Sequence, residues 1–268
     1  MTHNNEQIWQ EAKVAERYAK YSVGLHKNEK ILLDRLREVL RGKPILDLGV
    51  GAGRTTGSLL EISPDYVGVD YSPEMIRQCQ ARFPGVKFLC GDARELTMFH
   101  DAQFEFVLFS FNGIDYVPPV DRPTILREVC RVLKPGGRFL FSTHNIEKKT
   151  TPAYSLKNLH WRKNPIGMAR NFLSYLAGIR NYLRNRSMQI CSEKFELRID
   201  SENYRVLTYY IAKLHQVEQL KATGFVGVEV YERNANALDL VIPEKESAWL
   251  YYLALKPAVS GSYRSFPS

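Results

Sequence analysis

The sequence predicts an α/β fold, a mostly parallel sheet with helices on its faces, and three observations predict it. A strand-like run, Ile45-Leu46-Asp47-Leu48, opens directly into three alternating glycines, Gly49, Gly51 and Gly53, and then a helix-compatible run from Arg54 to Leu60. Short apolar segments alternate with helical ones from there to about residue 145. Sharp breakers, Ser63-Pro64-Asp65 and Lys134-Pro135-Gly136-Gly137, stand between them. Parallel strands joined by helices require right-handed crossovers, so this alternation constrains topology as well as class.

Two helices precede the first strand. Residues Glu6 to Tyr21 place Ile8, Ala12, Ala15 and Tyr18 or Ala19 at helical spacing, Gly24 interrupts, and Lys27 to Leu40 carries Ile31, Leu32, Leu36 and Leu40 on one side. Gly42 and Pro44 stop the second helix. After the glycine turn, Tyr66-Val67-Gly68-Val69-Asp70 reads as a buried strand ending in an acid. Ser72 then caps a helix that has Pro73 at its first position and runs to Ala81. Val86 to Cys90 makes a third strand, followed by Gly91-Asp92-Ala93-Arg94. Glu105 to Phe111 makes a fourth, apolar enough to be central. Helix Arg122 to Leu133 leads through the Pro-Gly-Gly turn into strand Arg138 to Thr143, which ends at His144-Asn145.

The alternation then stops. Between Pro165 and Leu183, Ala169, Phe172, Leu173, Leu176, Ile179 and Leu183 share one helical face flanked by Arg170, Arg180 and Arg184. Ile190 to Ile199 and Tyr204 to Ile211 read as a hairpin. Residues 146–212 are therefore expected to form a helix-plus-hairpin cap inserted after strand five, over the crevice of a core made of 1–145 and 213–256. The core resumes with helix Lys213 to Thr223, closed by Gly224, and strands Phe225 to Tyr231 and Ala248 to Leu255. Residues 257–268, rich in Ser and Pro, read as a disordered tail.

Composition excludes several classes. With 44% hydrophobic and 25% charged residues the chain matches an ordinary globular protein, not a disordered or fibrous one. No apolar run approaches the roughly 20 residues that span a bilayer, and Met1 to Asn5 lacks a signal-peptide core, so the expected address is cytoplasmic. Cys79, Cys90, Cys130 and Cys191 are too scattered for a zinc site or a disulfide framework; they read as reduced core or half-buried residues, and no metal is expected. The net charge of +8 is concentrated. From Ile146 to Ile190 nine Lys or Arg face one acid, Glu147, while the rest of the chain balances at 28 of each sign. Such a local field attracts an acidic substrate, a nucleic acid or an anionic lipid surface.

The glycine turn lets a ligand lie against bare backbone. Its spacing departs from the dinucleotide fingerprint, since the last required glycine falls on Arg54 or Thr56. A carboxylate at Asp47 repels a pyrophosphate and attracts a ligand bearing an amino group and a positive sulfonium, which describes S-adenosylmethionine. Asp70, at the end of the second strand, is placed to accept both hydroxyls of a ribose.

Together these motifs resemble the class I S-adenosylmethionine-dependent methyltransferases, closely over residues 44 to 145 and loosely over 213 to 256. The resemblance implies a Rossmann-like, doubly wound sheet of seven strands with the last antiparallel. It also implies that Gly49, Gly51 and Gly53, followed by Arg54, hold the methionine part with Asp47 near its cationic end. Asp70 then holds the ribose, Asp92 and the Ala93 amide read the adenine edge, Tyr71 and Met75 line the adenine, and Ser110 and Phe111 border the methyl group. Glu105 stands where the family often has Asp, and residues 146–212 match nothing general in it.

Methyl transfer from a sulfonium is an in-line displacement that depends on alignment, and an alcohol or phenol acceptor also benefits from a base. His144, at the C-terminal end of a central strand, is the candidate base; the alternative is a histidine that bonds a nearby carbonyl. Asp115 either orients it or caps the adjoining loop. Asn112, Tyr116 and Asn145 share that rim, Tyr18 and Tyr21 can close over the cofactor, and Tyr209 and Tyr210 on the hairpin can face the substrate or pack within the cap. The expected function is methyl transfer to oxygen, or alternatively nitrogen, of a small and on the charge argument acidic molecule. An RNA methyltransferase using the basic cap and a non-catalytic cofactor-binding interaction protein are the competing readings. An acidic substrate needs two or three arginines converging on the pocket. RNA needs an exposed stripe with stacking aromatics, and a membrane surface needs an apolar face turned outward.

Overall fold

The computed structural model describes residues 5–21, 24–159, 164–232, 236 and 247–258, with the Tyr21 side chain outside that set. One sheet organises them. Parallel strands β1 (Ile45–Leu48), β2 (Tyr66–Asp70), β3 (Lys87–Cys90), β4 (Phe104–Phe109) and β5 (Leu133–Asn145) lie in the order β3-β2-β1-β4-β5. Beyond β5 come β10 (Trp249–Leu255), antiparallel to it, and β9 (Val226–Tyr231). Helices α4 (Thr56–Leu60), α5 (Pro73–Arg82) and α6 (Arg122–Val132) link the first strands, and α8 (Lys213–Ala222) precedes β9.

The central strands are continuous apolar runs because both faces are covered. Along β4, Val107 and Phe109 pack on one face with Leu46, Leu48, Phe139, Phe141 and helix α6. Phe106 and Leu108 pack on the other with Ile45, Leu59, Tyr66, Ile76 and helix α3 (Lys27–Leu40). Each side chain so buried contributes on the order of 1.5–3 kcal/mol.

The structure departs from expectation in several places. The first helix is two, α1 (Asn5–Trp9) and α2 (Ala12–Tyr21), broken at Gln10. The Pro-Gly-Gly turn lies within β5. Gly136 takes φ +80°, donates to the Lys256 carbonyl at 2.9 Å, and the register with β4 shifts there, so the turn residues make an irregularity in a continuing strand. Among the described residues the sheet has ten strands, because the hairpin joins it. Strands β7 (Phe195–Ser201) and β8 (Val206–Ile211) are antiparallel, the short β6 (Ile190–Cys191) adds to β7, and β8 pairs in parallel with the last two residues of β5, His144 with Tyr210 and Asn145 with Ile211. Helix α7 (Pro165–Asn185) precedes them. Cys79 is buried and Cys130 half-buried, but Cys90 and Cys191 are exposed. Of the expected tail, residues 259–268 lie outside the described residues.

Candidate active site

At the C-terminal ends of β1 to β4 lies a cavity of about 540 Å³, a volume typical of small-molecule sites. The glycine loop forms its floor. Gly49 has φ +59° and passes so close to Phe109 that a Cβ would lie 2.6 Å from its ring; Gly53, at φ +79°, would meet Phe83 at 2.9 Å. Gly51 donates its backbone N–H to Asp70 Oδ2 at 2.9 Å, and Asp70 Oδ1 accepts from the Ser72 amide at 2.9 Å. Burial nevertheless pushes the Asp70 carboxyl up to about 6 against those two amides.

Opposite the loop, Arg54 forms a bidentate pair with the buried Glu29 of α3 at 2.5 and 2.8 Å, donates to Ser110 Oγ at 3.0 Å and lies over the Phe111 ring. Phe111 and Asn112 both adopt left-handed backbone, φ 53° and 58°. Left-handed backbone at a bulky residue such as Phe111 costs on the order of 1–3 kcal/mol, whereas Asn adopts it readily. The Ser142 hydroxyl accepts the Asn112 amide at 2.9 Å and holds the turn.

Helices α1 and α2 close the cavity with Asn5, Glu6, Trp9 and Tyr18. Asn5 pairs with the edge of β8 as a strand would, donating to Leu207 O at 2.8 Å and accepting from Leu207 N at 3.0 Å, and also donates to Tyr116 O at 2.8 Å. Glu6 binds Arg94 at 2.6 Å, and Arg94 grips both oxygens of Asp92. Burial of the Asp92 carboxyl is outweighed by these bonds, which hold it below the usual range.

A second cavity of about 430 Å³ lies at the end of β5, lined by His144, Lys148, Lys149, Asp200, Tyr210 and Trp249 among others. Asp115 Oδ2 accepts from both the backbone N–H and Nδ1 of His144, each at 2.7 Å. Its Oδ1 accepts from Arg122 at 2.6 Å and the Thr143 hydroxyl at 2.5 Å, and Arg122 continues to Gln216 at 2.6 Å. A carboxylate on Nδ1 puts the ring proton there and leaves Nε2 as an acceptor, with Asn112 Nδ2 at 3.3 Å. The two cavities share an aromatic wall. Phe111 of the first stands 5.2 Å from Trp249 of the second, and Tyr116 of the first stands 6.2 Å from His144.

Comparison with known proteins agrees with this geometry. Residues 45–137 match the family described as a methyltransferase domain. The chain is 37% identical over 105 residues to the demethylmenaquinone methyltransferase of Beutenbergia cavernae, covering 38% of this chain and 42% of that protein. It is 33% identical over 139 residues to the malonyl-[acyl-carrier protein] O-methyltransferase of Halorhodospira halophila, covering 50% and 46%. The chain thus spans less than half the length of these curated relatives. Among solved structures, an S-adenosylmethionine-dependent methyltransferase from Clostridium acetobutylicum superposes with a TM-score of 0.58 at 17% identity, covering 92% of this chain and 98% of that one.

Residues 45–137 thus resemble a methyltransferase domain, and the fold around them resembles that of solved S-adenosylmethionine-dependent methyltransferases.

The cofactor that such a domain implies is S-adenosylmethionine, and the first cavity fits it. Asp70 presents an almost wholly buried carboxylate to the cavity with only amide donors on it, so lone pairs remain for two vicinal hydroxyls. Gly51 lines the same cavity, and a Cβ there would meet nothing within 4 Å, which leaves room above its backbone. Of the residues expected at the cofactor, Gly49, Gly51, Arg54, Asp70, Tyr71, Met75, Asp92, Ala93, Ser110 and Phe111 line the cavity.

Asp47 and Gly53 are not brought to that lining. Asp47 is fully buried beneath the loop, where Oδ2 accepts from Thr55 at 2.5 Å and Tyr66 at 3.0 Å while Oδ1 has no partner, and burial pushes its carboxyl up to about 7. Gly53 serves the close approach of the loop to Cys79 and Phe83. Among the substrate candidates, Tyr18 and Tyr116 line the first cavity, and Tyr210 lines the second with its hydroxyl donating to Asp200 at 2.5 Å. Tyr209 points to the other face of β8, stacked under Arg122 and against Phe195, because adjacent strand residues face opposite sides. Asn145 is buried, donating to Ser247 O at 3.0 Å, and Asn112 is spent on His144. Asp115 is fully buried and lines neither described cavity; its carboxylate is taken up by His144, Arg122 and Thr143. The Tyr21 side chain lies outside the described residues.

Sequence reasoning missed Asn5, Glu6, Trp9, Glu29, Arg94 and Arg122. Only Arg94, next to Asp92 and Ala93, had a local signal. Among the described residues no group of three or more His, Cys, Asp or Glu is placed to hold a metal ion.

Proposed function

We propose that this chain moves a methyl group from S-adenosylmethionine to oxygen, or alternatively nitrogen, of a small anionic molecule. The observation that carries the reading is the His144–Asp115 pair standing one ring behind the wall of the cofactor cavity. Bound in the first cavity, the cofactor supplies an electrophilic methyl on a sulfonium. Asp70, Arg54 and Ser110 orient it, and the aromatic and aliphatic lining with α1 across the mouth excludes water. The acceptor occupies the second cavity, where Lys148 and Lys149 complement a negative group, and transfer requires the Phe111–Trp249 and Tyr116–His144 contacts to part so that its nucleophile meets the methyl in line. Once the acceptor hydroxyl displaces the long 3.3 Å contact from Asn112, His144 Nε2 takes its proton, and Asp115 holds the ring in the required tautomer and balances the imidazolium that results. The relatives named for demethylmenaquinone and for malonyl-[acyl-carrier protein] O-methylation support an acceptor that is a small chemical group.

The test is incubation with methyl-labelled S-adenosylmethionine and a panel of small carboxylic acids, phenols and amines. Labelled small-molecule product is expected. Cofactor binding with no product across the panel would favour a non-catalytic binding protein, and label appearing only in added RNA would favour the nucleic-acid reading. In His144→Gln, kcat should fall about 10²-fold or more with little change in KM; an unchanged kcat would reduce His144 to a positioning residue.

A further inference from the structure

Helix α7 is built inside out. Its only buried residue among those described is Gly178, where a Cβ would lie 2.5 Å from Asn203 Oδ1, so the glycine lets the turn between β7 and β8 press against the helix. The side facing the protein is polar. Asn181 and Asn185 donate to the carbonyls of Asn203 and Tyr204, and Asn203 donates to Ser174 O. The side facing away is apolar: Ile166 is 70% exposed, Phe172 47%, Leu173 64%, Leu176 44% and Leu183 54%. Ile166, Leu173 and Arg180 follow at intervals of seven and share one stripe, with Arg170 and Arg184 beside it, all three arginines exposed. The helix contains no acid. The Tyr175 hydroxyl donates to Tyr154 O at 2.8 Å, which brings up a loop whose Tyr154 and Leu156 are likewise exposed.

We propose that α7 is an interfacial helix that docks the protein on an anionic phospholipid surface. Isolated exposed leucines are ordinary, but five large apolar side chains on one helix that keeps its polar face for the protein are a contiguous patch. The arginines select the occupant. Their stems lie along an apolar surface while the guanidinium groups reach phosphates, the arrangement of a helix lying in the headgroup plane. They do not converge on either cavity, so an acidic acceptor does not account for them. The exposed apolar residues are mostly aliphatic, unlike the stacking platforms that bind single-stranded RNA. No helix among the described residues is long and apolar enough to cross a membrane, so the contact is with the surface.

Co-sedimentation of the full chain with vesicles tests this, using phosphatidylcholine alone and phosphatidylcholine mixed with phosphatidylglycerol. Wild type should bind the mixed vesicles about tenfold or more tightly than the neutral ones. The double variant Leu173→Asp, Leu176→Asp should lose about tenfold or more of that binding, and Arg180→Glu with Arg184→Glu should lose the preference for anionic lipid. Both variants should keep the wild-type melting temperature and affinity for S-adenosylhomocysteine, since none of the four residues touches the cavities. Failure of wild type to bind mixed vesicles at low ionic strength would overturn the proposal, as would undiminished binding by the leucine variant. A vesicle-free dimer in sedimentation velocity that the leucine variant dissolves would overturn it in favour of contact between two copies.

Discussion

In the strands around β4, apolar side chains pack on both faces of the sheet; in α7 the polar side chains point inward and the apolar ones stand in solvent. The same chain thus follows opposite burial rules in these two regions. In the core, burial supplies stability and each buried polar group must be compensated. In α7 burial supplies little, so its apolar stripe has to be understood through what it meets outside the protein.

The comparison makes the two regions respond differently to the same kind of change. Arg122→Met removes the partner of a fully buried carboxylate and should destabilise the fold by about 3–5 kcal/mol, measured by urea unfolding. Arg180→Met in α7 should stay within about 0.5 kcal/mol of wild type. Equal losses would erase the distinction. Next in size is Gly178→Val, whose side chain meets Asn203 and should cost about 1–3 kcal/mol, confined to the segment around α7. Limited proteolysis should then cut within 146–212 while affinity for S-adenosylhomocysteine stays unchanged.

Asp47 gives a smaller, pH-dependent effect. Burial raises its carboxyl to about 7 from an ordinary 3.8, so the native state keeps a proton that the unfolded chain has lost. Stability from this group therefore falls as pH rises through 7, by about 1.4 kcal/mol between about pH 6 and about pH 8. Asp47→Asn should flatten that part of the stability profile; an unchanged slope would mean the carboxyl titrates normally. Smallest of all, Leu173→Asp should alter unfolding by no more than about 0.5 kcal/mol, as exposed positions do.

What was legible in the sequence was local. Asp70 ends β2, and Ala93, Ser110 and Phe111 lie just past strand ends, which in a parallel sheet alone brings them to one edge. The direction of a side chain within a strand or loop was not legible. Asp47 turns under the loop because Thr55 and Tyr66, 8 and 19 residues away, converge on it. Of Tyr209 and Tyr210, strand alternation allows only one to face a given cavity, and which one depends on how β8 joins β5. Asn5 meets Leu207 across 202 residues with no pattern to announce it. In α7 the periodicity marked the apolar stripe correctly, but its outward orientation rests on Gly178 and the asparagines that grip the β7–β8 turn, a contact no spacing predicts.

Calorimetric titration with S-adenosylhomocysteine against wild type and Asp70→Ala tests the central claim, that the cavity at the ends of β1 to β4 is the cofactor site. The proposed ribose contact and the Gly51 amide both depend on that buried carboxylate, so the variant should bind about 10- to 100-fold more weakly while remaining folded. Equal affinity in the two proteins would contradict it.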